Sequence, residues 1–141
     1  MDTFTQFDIS TAVTDSLIDV FDKMLSMKLQ LSDDDSVTIS EDKRVVGSVS
    51  VGGMVMGSII IRVTDDFAHL MTASMTGLEP EELGNEEIKD VISELCNIVG
   101  GYLKSSFCDS GLICDLSPPS FTTGNDFEIE SLNTVRHERY V

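Results

Sequence analysis

The stretch NEEIKDVISELCNIVGGYLKSSF, residues 85–107, decides how this chain is read. At about 100° per residue, Ile88, Val91, Ile92, Leu95, Ile98, Val99 and Tyr102 share one arc, which predicts a long amphipathic helix with that stripe in the core. Asn85 is the expected N-cap, Glu86 and Glu87 suit the positive end of the helix dipole, and Lys104 suits the other end. Asp90, Glu94, Asn97, Gly101 and Lys104 fall on the opposite side. The spacing i, i+4, i+7 of Asp90, Glu94 and Asn97 stacks their side chains on one exposed ridge. Gly101 continues the ridge without a side chain, and Gly100 lies beside it. Two glycines inside a helix cost about 1 kcal/mol each relative to alanine. A solvated polar face with a loosely wound end accounts for these residues. A surface that lets a partner's backbone come close accounts for them too, and the glycines favour it.

Working outward, the segment from Ser10 to Leu29 has Val13, Leu17, Val20, Phe21 and Met24 at helical spacing, with Ser10 or Thr11 as the expected N-cap. Val37-Thr38-Ile39 reads as a short strand. Val45–Val51 alternates in part, Gly52-Gly53 signals a turn, and Met54–Val63 follows, so Arg44–Val63 reads as a β-hairpin. The run Ile59-Ile60-Ile61 suggests a central strand covered on both faces. Asp65-Asp66 caps a further helix through about Met75, with Phe67, Leu70, Met71 and Met75 apolar, and Gly77 stops it. Glu79-Pro80-Glu81-Glu82 opens a short turn or helix. Leu112–Leu116 alternates like a strand until Ser117-Pro118-Pro119-Ser120 breaks it. Phe127-Glu128-Ile129-Glu130 alternates as another, and Arg139-Tyr140-Val141 begins a further one. The order implies an α+β class, a mostly antiparallel sheet packed against three helices.

The 141 residues fit one domain, 1–141. With 9 Lys+Arg against 25 Asp+Glu, the formal net charge is −16. That charge argues against nucleic acid and against anionic membrane surfaces as partners. A hydrophobic fraction of 41% supports a core and argues against disorder. The N-terminus has no basic or apolar leader, and the longest strongly apolar stretch, 58–63, falls far short of the roughly 18 residues of a membrane helix. A cytoplasmic location is expected. Cys96, Cys108 and Cys114, odd in number and without a short-spaced pair, argue against a disulfide scaffold and a zinc site. No metal ligands are assigned: His69 sits among apolar neighbours, and His137 in a charged tail. Met24, Met71 and Met75, with Met54 and Met56, read as core filling. No serine-hydrolase elbow, P-loop or dinucleotide fingerprint is present.

The segment Asp90-Val91-Ile92-Ser93-Glu94-Leu95-Cys96-Asn97, followed by Gly101, resembles the D-x-x-x-E-x-x-N-x-x-x-G pattern of the CheC/CheX/FliY chemotaxis phosphatases. The resemblance extends over about residues 10–120. Leu17–Leu25 is similar to the first helix of CheX-type proteins. The segment from Gly52-Gly53 to Gly57-Ser58-Ile59-Ile60, and then Met75-Thr76-Gly77-Leu78-Glu79, are similar to the hairpin and the M-x-G-x-E segment that precede the motif helix.

The resemblance implies a phosphatase that dephosphorylates a phospho-aspartyl response regulator of the CheY type. Asn97 would orient the attacking water and Glu94 would pair with the regulator's lysine. Asp90, Gly101 and Lys104 would flank them as partner-binding positions. The chain itself would bind no cofactor, because the regulator supplies the Mg2+. An acyl phosphate reacts through a loose transition state, so positioning matters more than a strong base. A carboxamide can accept from water while donating to a phosphoryl oxygen, whereas a carboxylate there would add repulsion.

The resemblance has departures. Where CheC and FliY carry a second E-x-x-N, this chain reads Asp19-Val20-Phe21-Asp22, so a single active ridge is expected, as in CheX. Pro118 and Pro119 lie slightly closer to Asn97 than the family's proline. Family members continue with strand-forming sequence past the equivalent of Arg139-Tyr140-Val141, so either the sequence is shortened there or the closing strands are missing. A homodimer paired through the sheets is expected from the same resemblance. The alternative reading is a non-catalytic interaction module that binds a response regulator or a flagellar-motor component.

Overall fold

In the computed structural model, residues 7–32, 43–124 and 138–140 are described. They form α1 (Ile9–Leu25), β1 (Arg44–Gly53), β2 (Gly57–Thr64), α2 (Asp65–Thr76), a 3-10 turn at Pro80–Glu82, α3 (Asn85–Asp109), β3 (Cys114–Leu116) and β4 (Ser120–Gly124). Three helices against a four-stranded antiparallel sheet make the α+β class expected from sequence. No helix among the described residues is long and apolar enough to cross a membrane.

The sheet is organised around β1. It pairs with β2 on one side, from Arg44↔Thr64 to Val51↔Gly57. On its other side β3 covers Val51–Gly53 and β4 covers Arg44–Ser48. Central position therefore belongs to β1 and not to the Ile59-Ile60-Ile61 strand. Among the described residues β2 lies at an edge, with its isoleucines half-buried, while Val45, Val46, Val49 and Val51 are buried. The reason is topological: β1 finds partners on both sides, and its Val-rich sequence tolerates cover on both faces.

Strand β4 was not foreseen, because the proline pair reads as a stop. It interrupts the edge without ending it. Ser117 N–H donates to the Ser50 carbonyl (2.8 Å), and Ser117 Oγ accepts from the Ser50 N–H (3.0 Å), which carries the pairing across the break.

Helix boundaries differ from expectation by a residue or more at several ends, each for a capping reason. Asp8, not Ser10 or Thr11, caps α1: its carboxylate accepts the Thr11 N–H at 3.1 Å. The helix ends at Leu25, short of Leu29. Ser26 takes the left-handed conformation (φ 52°), and the Met27 N–H returns to the Phe21 carbonyl. Thr64 caps α2 through Oγ1, which accepts from the Phe67 N–H, leaving Asp65 and Asp66 in the first turn. Gly77 (φ 73°) ends α2 as expected. Gly84, not Asn85, is the N-cap of α3, and its N–H donates to the Glu87 carboxylate at 2.9 Å.

The main core joins Val20, Phe21 and Leu25 of α1, Ala68 and Met71 of α2, the inner arc of α3, and Val45 and Val49 of β1. A second cluster closes the far end with Val51, Leu103, Phe107, Leu112 and Cys114, and Phe7 rests on Phe107 with ring centroids 4.4 Å apart. Three of the methionines expected as core filling are not in it. Met24, near the end of α1, is 40% exposed. Met54 and Met56 flank the buried Val55 in the hairpin turn and are 65% and 83% exposed. Pairing stops at Val51↔Gly57, so the turn carries them out of the sheet. The segments Val37–Ile39 and Phe127–Glu130, and His137, lie outside the described residues. Arg139 and Tyr140 form no strand, and Val141 is not among the described residues.

Helix α3 comes onto β1 at one residue without a side chain. A Cβ on Gly47 would lie 2.5 Å from Cys96 Sγ and 2.6 Å from Ile92 Cγ2, well inside contact distance. Overpacking of this kind costs about 1–3 kcal/mol. Gly47→Ala is therefore expected to lower the free energy of unfolding by that amount, read from the shift of the urea midpoint multiplied by the m-value. Gly52→Ala, on the same strand with nothing within 4 Å, should stay within about 0.5 kcal/mol of wild type.

Candidate functional site on helix α3

The contact through Gly47 fixes which way α3 faces. Ile88, Val91, Ile92, Leu95, Cys96, Val99, Gly100, Leu103 and Phe107 are buried. Asp90, Glu94 and Asn97 are exposed on the opposite side, Gly101 is half-buried, and the ridge stands as read from the spacing. Glu94 and Asn97 are separated by about 4.5 Å along the helix axis and by about 60° around it. Both are held by the same rigid backbone. Among the described residues neither side chain has an internal hydrogen bond or ion pair, so both are presented to solvent.

Lys104 behaves differently from the other ridge positions. Its ammonium lies 3.2 Å from Asp115 Oδ1 on β3, tying the late part of the ridge to the sheet. Nothing in the sequence flagged Asp115, because the pair depends on β3 folding back beside α3.

Tyr102 is a correction to the helical arc. It is 45% exposed rather than in the core, and its hydroxyl donates to Asp19 Oδ2 at 2.9 Å. Lys23 pairs with the other oxygen of Asp19 at 2.8 Å. Those two contacts, Lys23 first and Tyr102 second, hold the Asp19 carboxyl below its ordinary value, and Asp19 raises both the Lys23 ammonium and the Tyr102 phenol. An aromatic ring with a polar tip at the rim of an apolar stripe keeps the tip wet when a polar partner is near. Asp19 thus holds Tyr102 of α3 and Lys23 of α1 together across the two helices.

The two glycines after Asn97 are not equivalent. A Cβ on Gly100 would meet Val49 Cγ1 at 3.0 Å and Leu116 Cδ2 at 3.3 Å, whereas one on Gly101 would meet nothing within 4 Å. Gly100 serves packing on the sheet, and Gly101 leaves open space on the ridge. On the buried side of the helix, desolvation pushes the Cys96 thiol up to about 11, so it stays neutral beneath the ridge at physiological pH.

Comparison with known proteins agrees with the geometry. The sequence model of the family described as "Chemotaxis phosphatase CheX" matches residues 45–138, from the start of β1 through all of α3 and the strands after it. The chain belongs to that family. It is 28% identical over 92 residues to the CheY-P phosphatase CheX of Thermotoga maritima, an alignment covering 64% of this chain and 59% of that protein. The chain thus spans less than two thirds of the length of the curated relative it matches. Among solved structures, the chemotaxis protein CheX of Vibrio vulnificus superposes with a TM-score of 0.74 at 25% identity, covering 89% of this chain and 80% of that one. The fold is also shared with the CheX of a Borrelia burgdorferi CheX–CheY–BeF3–Mg2+ complex, with a TM-score of 0.64 at 24% identity over 81% of this chain and 75% of that one.

Two measurements check the assignment of faces. Gly101→Ala should raise stability by about 0.5–1 kcal/mol, the helix-propensity difference, and Gly100→Ala should gain less because its methyl meets the sheet. Labelling with a disulfide reagent at pH 8 should modify the half-buried Cys108 first. Cys96, buried and neutral, should react only on unfolding.

Proposed function

We propose that this chain dephosphorylates a phospho-aspartyl response regulator of the CheY type. In this reading Asn97 orients the attacking water and Glu94 pairs with the regulator's lysine. The observation that carries it is the exposure of Glu94 and Asn97 on one rigid helix, with no internal partner among the described residues. Membership of the CheX family supports it, as does the likeness to the Thermotoga phosphatase, whose name gives phosphorylated CheY as its substrate.

The chemistry follows from the side chains. Carboxylate is a good leaving group from an acyl phosphate, so the barrier falls chiefly by holding water in line with the phosphorus. The Asn97 carbonyl oxygen accepts a hydrogen bond from that water while its NH2 donates to a phosphoryl oxygen. Glu94, nearly one turn earlier, faces away from the phosphoryl group and meets a cation. The open space at Gly101 lets the regulator's backbone approach, and Asp90 and Lys104 lie at the margins. Mg2+ comes with the regulator in this reading and neutralises the phosphoryl charge against the acidic surface. Action as a homodimer in the cytoplasm belongs to the same proposal and rests on the resemblance to CheX proteins.

The test is phosphate release from regulators of the same organism, phosphorylated with acetyl phosphate, with and without this protein. Asn97→Ala should lower the stimulated rate by about 100-fold or more, the usual effect of removing one positioned polar group, with an unchanged unfolding midpoint. Glu94→Gln should chiefly raise KM. Wild-type rates from the Asn97→Ala protein would overturn the role of Asn97.

A further inference from the structure

The chain turns back sharply at the end of α3. The Gly111 N–H donates to the Cys108 carbonyl (3.0 Å), the Leu112 N–H donates to the Phe107 carbonyl (2.8 Å), and β3 opens at Cys114. This turn lays β3 beside the last turns of the helix. Lys104 reaches Asp115 at 3.2 Å, and one helical turn later the Cys108 thiol donates to the Cys114 carbonyl at 3.9 Å. Two cysteines six residues apart in sequence are thus brought side by side. They differ in exposure. The Cys114 side chain belongs to the cluster of Leu103, Phe107 and Leu112 and is 2% exposed, whereas Cys108 is half-buried. Burial, and then the Cys108 thiol beside it, push the Cys114 thiol up. Both thiols are free, and Cys96, packed at the Gly47 position of β1, is part of neither contact.

A cysteine buried alone among apolar side chains is inert, because reagents do not reach it and its thiolate is disfavoured. A neighbouring thiol that solvent does reach changes this. We propose that Cys108 and Cys114 form a reversible dithiol–disulfide couple, a modification site at the end of α3 for small disulfides. Cys108 gives its proton to water and attacks one sulfur of the small disulfide. A new sulfur–sulfur bond forms, the reagent's own bond breaks, and one small thiolate leaves. Cys114 then gives up its proton and attacks the Cys108 sulfur of the mixed disulfide. The second small thiolate leaves, and the protein disulfide closes. The dithiol has lost two electrons, which the reagent has gained, and two protons, which pass to water or to the released thiolates. Cys114 ionises reluctantly, but its target sulfur is already beside it, and proximity offsets that reluctance. Cys108 is the entry thiol and Cys114 the resolving one. In the reduced protein the end of α3 is tied to β3 by the Lys104–Asp115 pair, whose carboxylate side chain is 92% exposed. Ion pairs so exposed hold weakly. The disulfide fastens the same two elements covalently.

The probe is dithiobisnitrobenzoate, added in one equivalent to the folded, reduced full chain. Wild-type protein should release two thionitrobenzoate ions per chain and end lighter by two hydrogen atoms. Cys114→Ser should release one ion and keep the mixed disulfide. Cys108→Ser should react at least about tenfold more slowly, since only opening of the fold exposes Cys114. Peptide mapping of the wild-type protein decides the matter without any variant. Cleavage before Asp109 separates the two cysteines, so their peptides should remain joined until a reducing agent is added, and glutathione disulfide should produce the same link. Amide hydrogen exchange over residues 106–109 should slow about tenfold in the oxidised protein if the link fastens the helix end. One ion per chain with a lasting adduct on wild-type protein overturns the couple, as does a link to Cys96 or between two chains. Exchange that is unchanged or faster in the oxidised protein overturns the fastening.

Discussion

The structure depends on the close approach of α3 to β1 across Gly47. With no Cβ at that position, Cys96 and Ile92 settle directly on the strand's backbone, and Gly100 repeats the contact one turn later against Val49 and Leu116. A helix held this tightly cannot roll. Its buried arc is fixed by the sheet and by α1 and α2, so the opposite arc is fixed as well. The orientation of Glu94 and Asn97 toward solvent follows from a glycine on a strand and a cysteine on the hidden side of the helix.

The sequence carried much of this, unevenly. The α3 ridge was readable because helical periodicity is a local rule that tertiary packing here reinforces. The hairpin and the stop at Gly77 were readable for the same reason, since glycine and alternation act within a few residues. What was not readable depended on distant segments. The triple isoleucine looked central, but centrality is decided by how many neighbours a strand finds, and β1 found three. Tyr102 looked like core until Asp19, more than eighty residues earlier, offered its hydroxyl a partner. Lys104 was read as a ridge residue, and its Asp115 partner appeared only with β3 in place. The methionines divided by position: Met71 fills the core, while Met54 and Met56 ride out on a turn. The roles proposed for Glu94 and Asn97 rest on family resemblance; spacing alone gives them only a shared face.

Charge takes on a more particular meaning with the fold in hand. Most of the acidic surplus of the 141-residue chain is spread over solvated faces, where it discourages self-association and polyanions. Around the ridge it is structured. Asp19 is occupied by Lys23 and Tyr102, and Asp115 by Lys104, whereas Glu94 has no internal counter-ion among the described residues. A cationic partner group reaching this face meets Glu94 and Asp90 without internal partners among the described residues, and other carboxylates already engaged.

The break at Ser117-Pro118-Pro119 reaches beyond chain tracing. Ser117 joins β3 and β4 into one continuous flank on β1, yet the two prolines offer no N–H along it. A foreign strand laid against that flank would find its ladder of hydrogen bonds missing rungs midway. An acidic domain with a Val-rich central strand thereby gains, at two residues, a guard against the edge-to-edge stacking that starts aggregation.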